Sequence, residues 1–413
     1  MRRRLLFLCH TLPYPPDGGV WIRTYHTIRL LSTAFDVTAL CFERSGSAAG
    51  SHDPVAAARA LGNLARVDVF RVPQAHSRLR LVWDHARSVL RRRAYTRYLY
   101  ESRAFRTRLS ELLEREIFDL VHVDSLDLAA YLPLLDALPV VCVHHNVESD
   151  LLARRARAEP RGPRRAYLAL QARLTLQEEI RWCPEVAMNV VVSQADGERL
   201  SQLAGGGEYL VFPNGVDTER FAPCQVGAGS EPLLVFVGGT SWFPNRDALD
   251  FFCGQILPML RQECHELSVR WVGRSTPEEK RWYADEYGVE LAGYVEDVRP
   301  YVRDAVCYVV PLRVGGGTRL KILDAWAMGM AVVSTSVGCE GLDARDGENI
   351  LIRDAPAGFA EAVLRVIADP ELGRRLARNA RRTAEKQYSW DVIGGPMIRA
   401  YELLLDPAGQ SRA

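Results

Sequence analysis

No apolar run in the 413 residues approaches the roughly 20 that a membrane-spanning helix requires. The opening Met1-Arg2-Arg3-Arg4 has the charge of a secretory leader, but the apolar stretch Leu5–Cys9 is too short. His10 and Pro13 follow at once, with no small-residue cleavage site. The segment reads as a first strand instead. The nine cysteines contain no C-x-x-C pair and no zinc-like spacing, which excludes a zinc module and fits free, mostly buried thiols in a reducing compartment. A net charge of +1 gives no whole-chain field pointing to nucleic acid. The G-x-G-x-x-G fingerprint is missing, which argues against a nicotinamide-dependent oxidoreductase. There is no internal repeat. Lysine is nearly missing: Lys280, Lys321 and Lys386 stand among 52 basic residues. These absences place the chain in the cytoplasm, with peripheral attachment to the inner face of a membrane as the one membrane relation left open.

What is present is ordinary for a protein that buries a large core: 48% of residues are hydrophobic and 25% charged. The length suits two domains. Each half alternates short apolar strands with amphipathic helices. The first half reads as a strand at Leu5–Cys9, a loop from Thr11 to Gly19 and a helix from Ile22 to Ser32. Strands follow at Val37–Cys41, Val67–Val72, Leu120–Val123, Val140–Val143 and Val186–Val192. The second half places strands at Leu233–Val237, Val269–Val272, Val289–Leu291, Cys307–Val310, Ala331–Ser334 and Asn349–Ile352. Strands separated by helices predict an α/β fold of doubly wound parallel sheets, with ligands at the C-terminal ends of the strands. Pro213-Asn214-Gly215-Val216-Asp217 marks the junction. The expected domains are 1–212 and 213–388, with a last helix in 389–413 crossing back to the first domain and fraying at its end.

The strongest chemical signal is the strand Val309-Val310 running into Gly315-Gly316-Gly317-Thr318-Arg319-Leu320-Lys321. Glycines let backbone amides approach an anion, and the unpaired amides of a helix start favour negative charge. Arg319 and Lys321 occupy a first helical turn that normally prefers acids, an arrangement that makes sense with an anion between them and the amides. In a chain that otherwise uses arginine, a lysine here supplies a compact point charge. Asp324, further along the same helix, can accept from ribose hydroxyls; its plainer reading is an exposed helical acid. A second glycine loop, Pro15-Pro16-Asp17-Gly18-Gly19, follows the first strand and can also present amides. Val143-His144-His145-Asn146-Val147-Glu148 puts two histidines after a buried strand. A metal site is not expected there, because adjacent histidines point apart and no carboxylate lies at helical spacing. A histidine there can instead hydrogen-bond a transferring sugar. Further candidates follow other strands: Gly239, Asn245 and Arg246, then Arg274, then Tyr294 and Val295 to frame a base. The arginine-rich stretches 78–108 and 154–165 read either as solvated helix faces or as contacts for anionic headgroups or a phosphorylated acceptor.

These residues together resemble glycosyltransferase family 4 and the wider group 1 glycosyltransferases. The marks are Pro213-Asn214-Gly215-Val216-Asp217, Gly238 with Trp242 and Pro244-Asn245, Gly293-Tyr294-Val295 with Asp297, Gly315 to Lys321, Gly338 with Glu340-Gly341-Leu342, and Tyr388-Ser389-Trp390. The opening, His10 with Pro13-Tyr14-Pro15-Pro16 and Gly18-Gly19, is similar to bacterial sugar transferases of exopolysaccharide loci. The resemblance implies a GT-B fold, two Rossmann-like doubly wound parallel-sheet domains facing a cleft. It implies retention at the anomeric carbon, no required metal and no cofactor beyond a nucleoside-diphosphate sugar as co-substrate. The family's active-site histidine maps onto His145, with His144 the alternative. The family's pair of glutamates maps onto Gly316 and Asp324, so the residue expected to read the sugar is replaced by backbone amides.

The reading that follows is a retaining hexosyltransferase in polysaccharide or glycolipid biosynthesis, with His145, Lys321 and Arg319 as catalytic residues. Gly18, Gly19, Gly239, Asn245, Arg246, Arg274, Tyr294, Val295, Gly315, Gly316, Gly317, Thr318 and Asp324 would bind the donor. The acceptor is a hydroxyl, on a lipid-linked molecule if the arginines meet a membrane. The alternatives are a sugar-nucleotide epimerase on the same fold and a non-catalytic GT-B-like binding subunit.

Overall fold

Continuous apolar runs such as Leu5-Leu6-Phe7-Leu8-Cys9 suit strands covered on both faces, and these five residues are fully buried. The computed structural model describes residues 2–16, 18–43, 53–223, 231–315 and 320–406. Two compact units emerge, residues 1–213 with 394–413, and residues 214–393.

The first unit contains β1 (Arg3–Cys9), β2 (Phe35–Glu43), β3 (Arg66–Arg71), β4 (Leu120–Val123), β5 (Val140–His144), β6 (Met188–Val191) and β7 (Tyr209–Val211). They form one sheet in the order β3-β2-β1-β4-β5-β6-β7. Every pairing is parallel, with Leu8 level with Leu40 on one side and Val123 on the other. The second unit contains β8 (Leu233–Val237), β9 (Ser268–Val272), β10 (Glu290–Gly293), β11 (Cys307–Val310), β12 (Val332–Ser334) and β13 (Leu351–Ile352), in the order β10-β9-β8-β11-β12-β13 and again parallel. Counted within its own unit, each sheet begins 3-2-1-4-5-6, the doubly wound Rossmann order. In each, the chain reverses its winding between the first and fourth strands, where such sheets bind ligands.

Several boundaries differ from the sequence expectation for local reasons. The first helix spans Gly19–Leu31 and starts before Ile22, because extended Gly18 serves as its cap. β6 starts at Met188, since the Val186 amide is still held by the Trp182 carbonyl in a turn. β13 starts at Leu351, since Asn349 accepts from the Arg345 amide and closes a turn. β7 was not anticipated. The second unit continues to Ile393 because Gly215 lies under Trp390 and Ile393, where an added Cβ would sit 2.5 Å from the Trp390 ring. The Val216 amide also donates to the Tyr388 carbonyl at 2.7 Å. The helix Trp390–Leu405 carries residues of both units. In the first unit, its Tyr401 is fully buried and bonds His122 Nδ1 at 3.0 Å. No helix among the described residues is long and apolar enough to cross a membrane. The eight described cysteines are free thiols.

Candidate functional site

In the second unit, chemistry collects where β8 and β11 end. β8 delivers Gly238 and Gly239. A Cβ at Gly238 would sit 2.6 Å from Asn245 Nδ2 and 2.7 Å from Phe236, so only glycine lets the chain pass. Asn245 is buried; its amide donates to the Gly239 carbonyl at 3.0 Å, and its Oδ1 accepts from Lys321 Nζ at 2.7 Å. The Lys321 ammonium also stands 4.0 Å from the centre of the Phe236 ring, a cation–π contact. Phe236 is itself stacked on buried Trp271 at 3.7 Å. The lysine is therefore placed by a buried frame at the start of the helix Leu320–Ala327, where cations are ordinarily disfavoured. Next to it, the Arg274 guanidinium lies over Tyr294, 4.3 Å from the ring centre, and Tyr294 is half exposed. On the Leu320–Ala327 helix, desolvation pushes the Asp324 carboxyl up to about 7, against the pull of Arg220.

In the first unit the corresponding place, between the ends of β1 and β4, holds a buried carboxylate ringed by histidines. Asp124 is 1% exposed. Thr24 donates to its Oδ2 at 2.7 Å. His10 Nδ1 and His145 Nε2 lie 3.5 and 3.6 Å from Oδ2, and His122 Nε2 lies 3.6 Å from Oδ1. Burial alone would raise the Asp124 carboxyl, but the surrounding imidazoles outweigh it and hold the group well below the usual range. Burial opposes a charged His10, yet Asp124 prevails and raises it. For His145 burial prevails and lowers it. One atom each of His10, Asp124 and His145 lies within 4.8 Å of the others, a spacing that a cation could also occupy. Arg23, 2% exposed, donates to the Phe212 carbonyl at 2.8 Å, and burial pushes its pKa down to about 10 against the pull of Asp124. Beside this cluster, burial and then Asp127 push the Glu148 carboxyl up to about 7.

Two family models match this chain. One, described as glycosyl transferases group 1, matches residues 231–369; the other, glycosyltransferase family 4, matches residues 17–220. The chain belongs to the family 4, group 1 glycosyltransferases. A lipopolysaccharide core biosynthesis glycosyltransferase, LpsE of Rhizobium meliloti, is 36% identical over 112 residues, 25% of this chain and 31% of that one. A phosphatidyl-myo-inositol mannosyltransferase of Mycobacterium tuberculosis is 25% identical over 209 residues, 48% of this chain and 54% of that one. The matched region thus spans a third to a half of these relatives' lengths. Among solved structures, sucrose-phosphate synthase from Thermosynechococcus elongatus aligns with a TM-score of 0.68 at 18% identity, covering 98% of this chain and all of that one. Anabaena HepE in complex with UDP and glucose aligns with a TM-score of 0.66 at 15% identity, covering 97% of this chain and 99% of that one. These likenesses show the fold, which is GT-B.

The structure brings together Gly239, Asn245 and Lys321, and pairs Arg274 with Tyr294. It separates the two adjacent histidines: His145 joins Asp124, whereas His144 turns into the core onto Asn189 at 2.9 Å. Burial lowers His144 to about 4. Arg246 forms an ion pair with Glu279, which also accepts from Thr240 at 2.7 Å. Val295 packs against the core of the second unit. Gly18 and Gly19 open the first helix, which has no acid in its first turn. Gly315 ends the described stretch; Gly316, Gly317, Thr318 and Arg319, like Asp17, lie outside the described residues. The sequence reading missed Asp124, Arg23 and Thr24. Asp124 directly follows a strand it had placed correctly, but only the strand order shows that this strand lies beside β1.

Proposed function

We propose that this glycosyltransferase moves a hexose from a nucleoside-diphosphate sugar to a hydroxyl with retention of anomeric configuration. The observation that carries the proposal is the buried frame of Phe236 and Asn245 that fixes the Lys321 ammonium beside two glycines at the switch point of the second unit. Such a cation, with the amides of Gly315 to Thr318 and the charge of Arg319, suits a departing diphosphate. Arg274 and Tyr294 suit a base, and Asp324 a ribose. In the first unit, His145 beside an anionic Asp124 suits contact with the sugar as positive charge develops at its anomeric carbon. A leaving phosphate oxygen would take the acceptor proton as the hydroxyl attacks from the same face. No metal is required in this scheme, so turnover in chelator should equal turnover without it.

The relatives named for lipopolysaccharide core and phosphatidyl-inositol products favour a polysaccharide or glycolipid pathway, and the neighbour solved with UDP and glucose favours a sugar nucleotide donor. A lipid-linked acceptor agrees with the arginine-rich segments 78–108 and 154–165, which would meet anionic lipid at the inner face of a membrane. The test is a panel of UDP, GDP, ADP and dTDP sugars, read by nucleotide release and by proton NMR of the product. An axial donor giving an axial product supports the proposal. An inverted product overturns retention, and free epimerised donor without acceptor would establish an epimerase.

A further inference from the structure

The helix Arg78–Arg91 is built inside out. Its sequence, RLRLVWDHARSVLR, sets Leu79, Val82, Trp83, Ala86 and Leu90 along one face at helical spacing. In a soluble domain that face turns to the core. Here Leu79 is 84% exposed, Val82 66%, Trp83 58% and Leu90 75%. The face against the protein is polar, with Asp84 and Ser88 fully buried.

Specific partners hold it that way. Gln74 and Arg80 donate to Asp84 at 2.7 and 2.8 Å. Ser88 donates to the Arg93 carbonyl at 2.7 Å and accepts from Gln171 at 2.9 Å. His85 stacks on Tyr95, with ring centres 3.9 Å apart, and bonds the Tyr167 hydroxyl. Rolling the helix to bury its apolar face would strand these buried polar groups without partners. Outward exposure of the leucines, valine and tryptophan is therefore dictated by the packing, and a contiguous exposed apolar face marks an interaction surface.

The charge around that face identifies what covers it. Arg78 at one end and Arg91 and Arg92 at the other are exposed. The Tyr167 contact joins the helix to the start of Pro163–Trp182, where Arg161 and Arg164 are exposed. Two copies meeting through this face would bring like-charged clusters together, whereas a phosphate-bearing surface would neutralise them. We propose that the Arg78–Arg91 helix lies in the headgroup region of an anionic lipid bilayer, with Leu79, Val82, Trp83 and Leu90 among the acyl chains and the flanking arginines on lipid phosphates. This deepens the membrane reading made above by assigning the anchoring to an apolar face as well as to arginine charge.

The test is sedimentation of the full chain with phosphatidylcholine vesicles, with or without phosphatidylglycerol, in the absence of donor and acceptor. The wild type should bind the mixed vesicles, more weakly as salt rises, and not the neutral ones. A combined Leu79→Ser, Val82→Ser, Trp83→Ser variant should bind at least about tenfold more weakly, with an unchanged unfolding midpoint and unchanged nucleotide binding. Arg78→Gln with Arg91→Gln should remove the preference for phosphatidylglycerol. Wild-type binding by the serine variant overturns the proposal. So does a wild-type dimer that the serine variant splits without either protein binding vesicles, which would make a second copy the occupant. Vesicle binding and nucleotide binding are read separately, so loss of one account leaves the other standing.

Discussion

The Lys321 ammonium rests on the Phe236 ring and on Asn245, so its position is set before any ligand arrives. Preorganised charge of this kind costs no rearrangement as a diphosphate departs. An arginine would replace this compact point charge with a longer, planar fork whose charge is spread over three nitrogens. Lys321→Arg is expected to lose at least about tenfold in kcat with little change in folding, measured by steady-state transfer beside thermal unfolding. His144 offers a different test. Its folded pKa of about 4 lies below the ordinary value near 6.5, so between those values the unfolded chain binds more protons. Stability should fall as pH drops through that window, by up to about 3 kcal/mol from this residue. His10, raised by Asp124, acts with the opposite sign: its contribution is full below about 6.5 and lost as pH rises through its folded pKa. Denaturant unfolding between pH 6.5 and 4 should show a shallower pH slope for His144→Gln than for wild type. Equal slopes would contradict a buried neutral His144.

The β8 loop and the Leu320–Ala327 helix work as one element through Gly238. A methyl group there would strike Asn245 and Phe236, the two side chains that hold Lys321. Gly238→Ala should therefore cost about 1–3 kcal/mol of stability and weaken nucleotide binding together. Gly254→Ala, at a helical site with nothing within 4 Å, should do neither. Calorimetric unfolding and nucleotide titration of both variants decide this. At this scale most of the fold was legible in the sequence. Leu120–Val123, Leu233–Val237 and Cys307–Val310 fall where their apolar runs put them, because parallel strands covered on both faces carry little else. Gly239, Asn245 and Lys321 were legible as residues following strands. Asp124 was not, since its partners Thr24, His10 and His145 come from three separate places in the chain and meet only once the sheet is ordered. Arg246 was legible as a donor-binding candidate after a strand; its ion pair with Glu279, a distant residue, was not, since no local pattern reveals it. The Arg78–Arg91 helix is amphipathic in sequence, yet which face turns outward depends on Gln74, Tyr167 and Gln171.

At the scale of the whole molecule, one strand order occurs twice and places chemistry at the same point of each sheet: a cation beside glycines in the second unit, a carboxylate among histidines in the first. The Trp390–Leu405 helix ties into the first unit through Tyr401, whose hydroxyl meets His122, a neighbour of Asp124. Tyr401→Phe should cost about 1–3 kcal/mol, the penalty for a buried group losing its partner, as read by chemical unfolding. A variant as stable as wild type would show that the bond contributes nothing. We propose that Lys321 holds the diphosphate of a sugar nucleotide during transfer. The most direct test compares wild type and Lys321→Ala for nucleoside-diphosphate release at saturating donor. Release should be at least about 100-fold slower in the variant, with the unfolding midpoint little changed. Full turnover by a folded Lys321→Ala would contradict it.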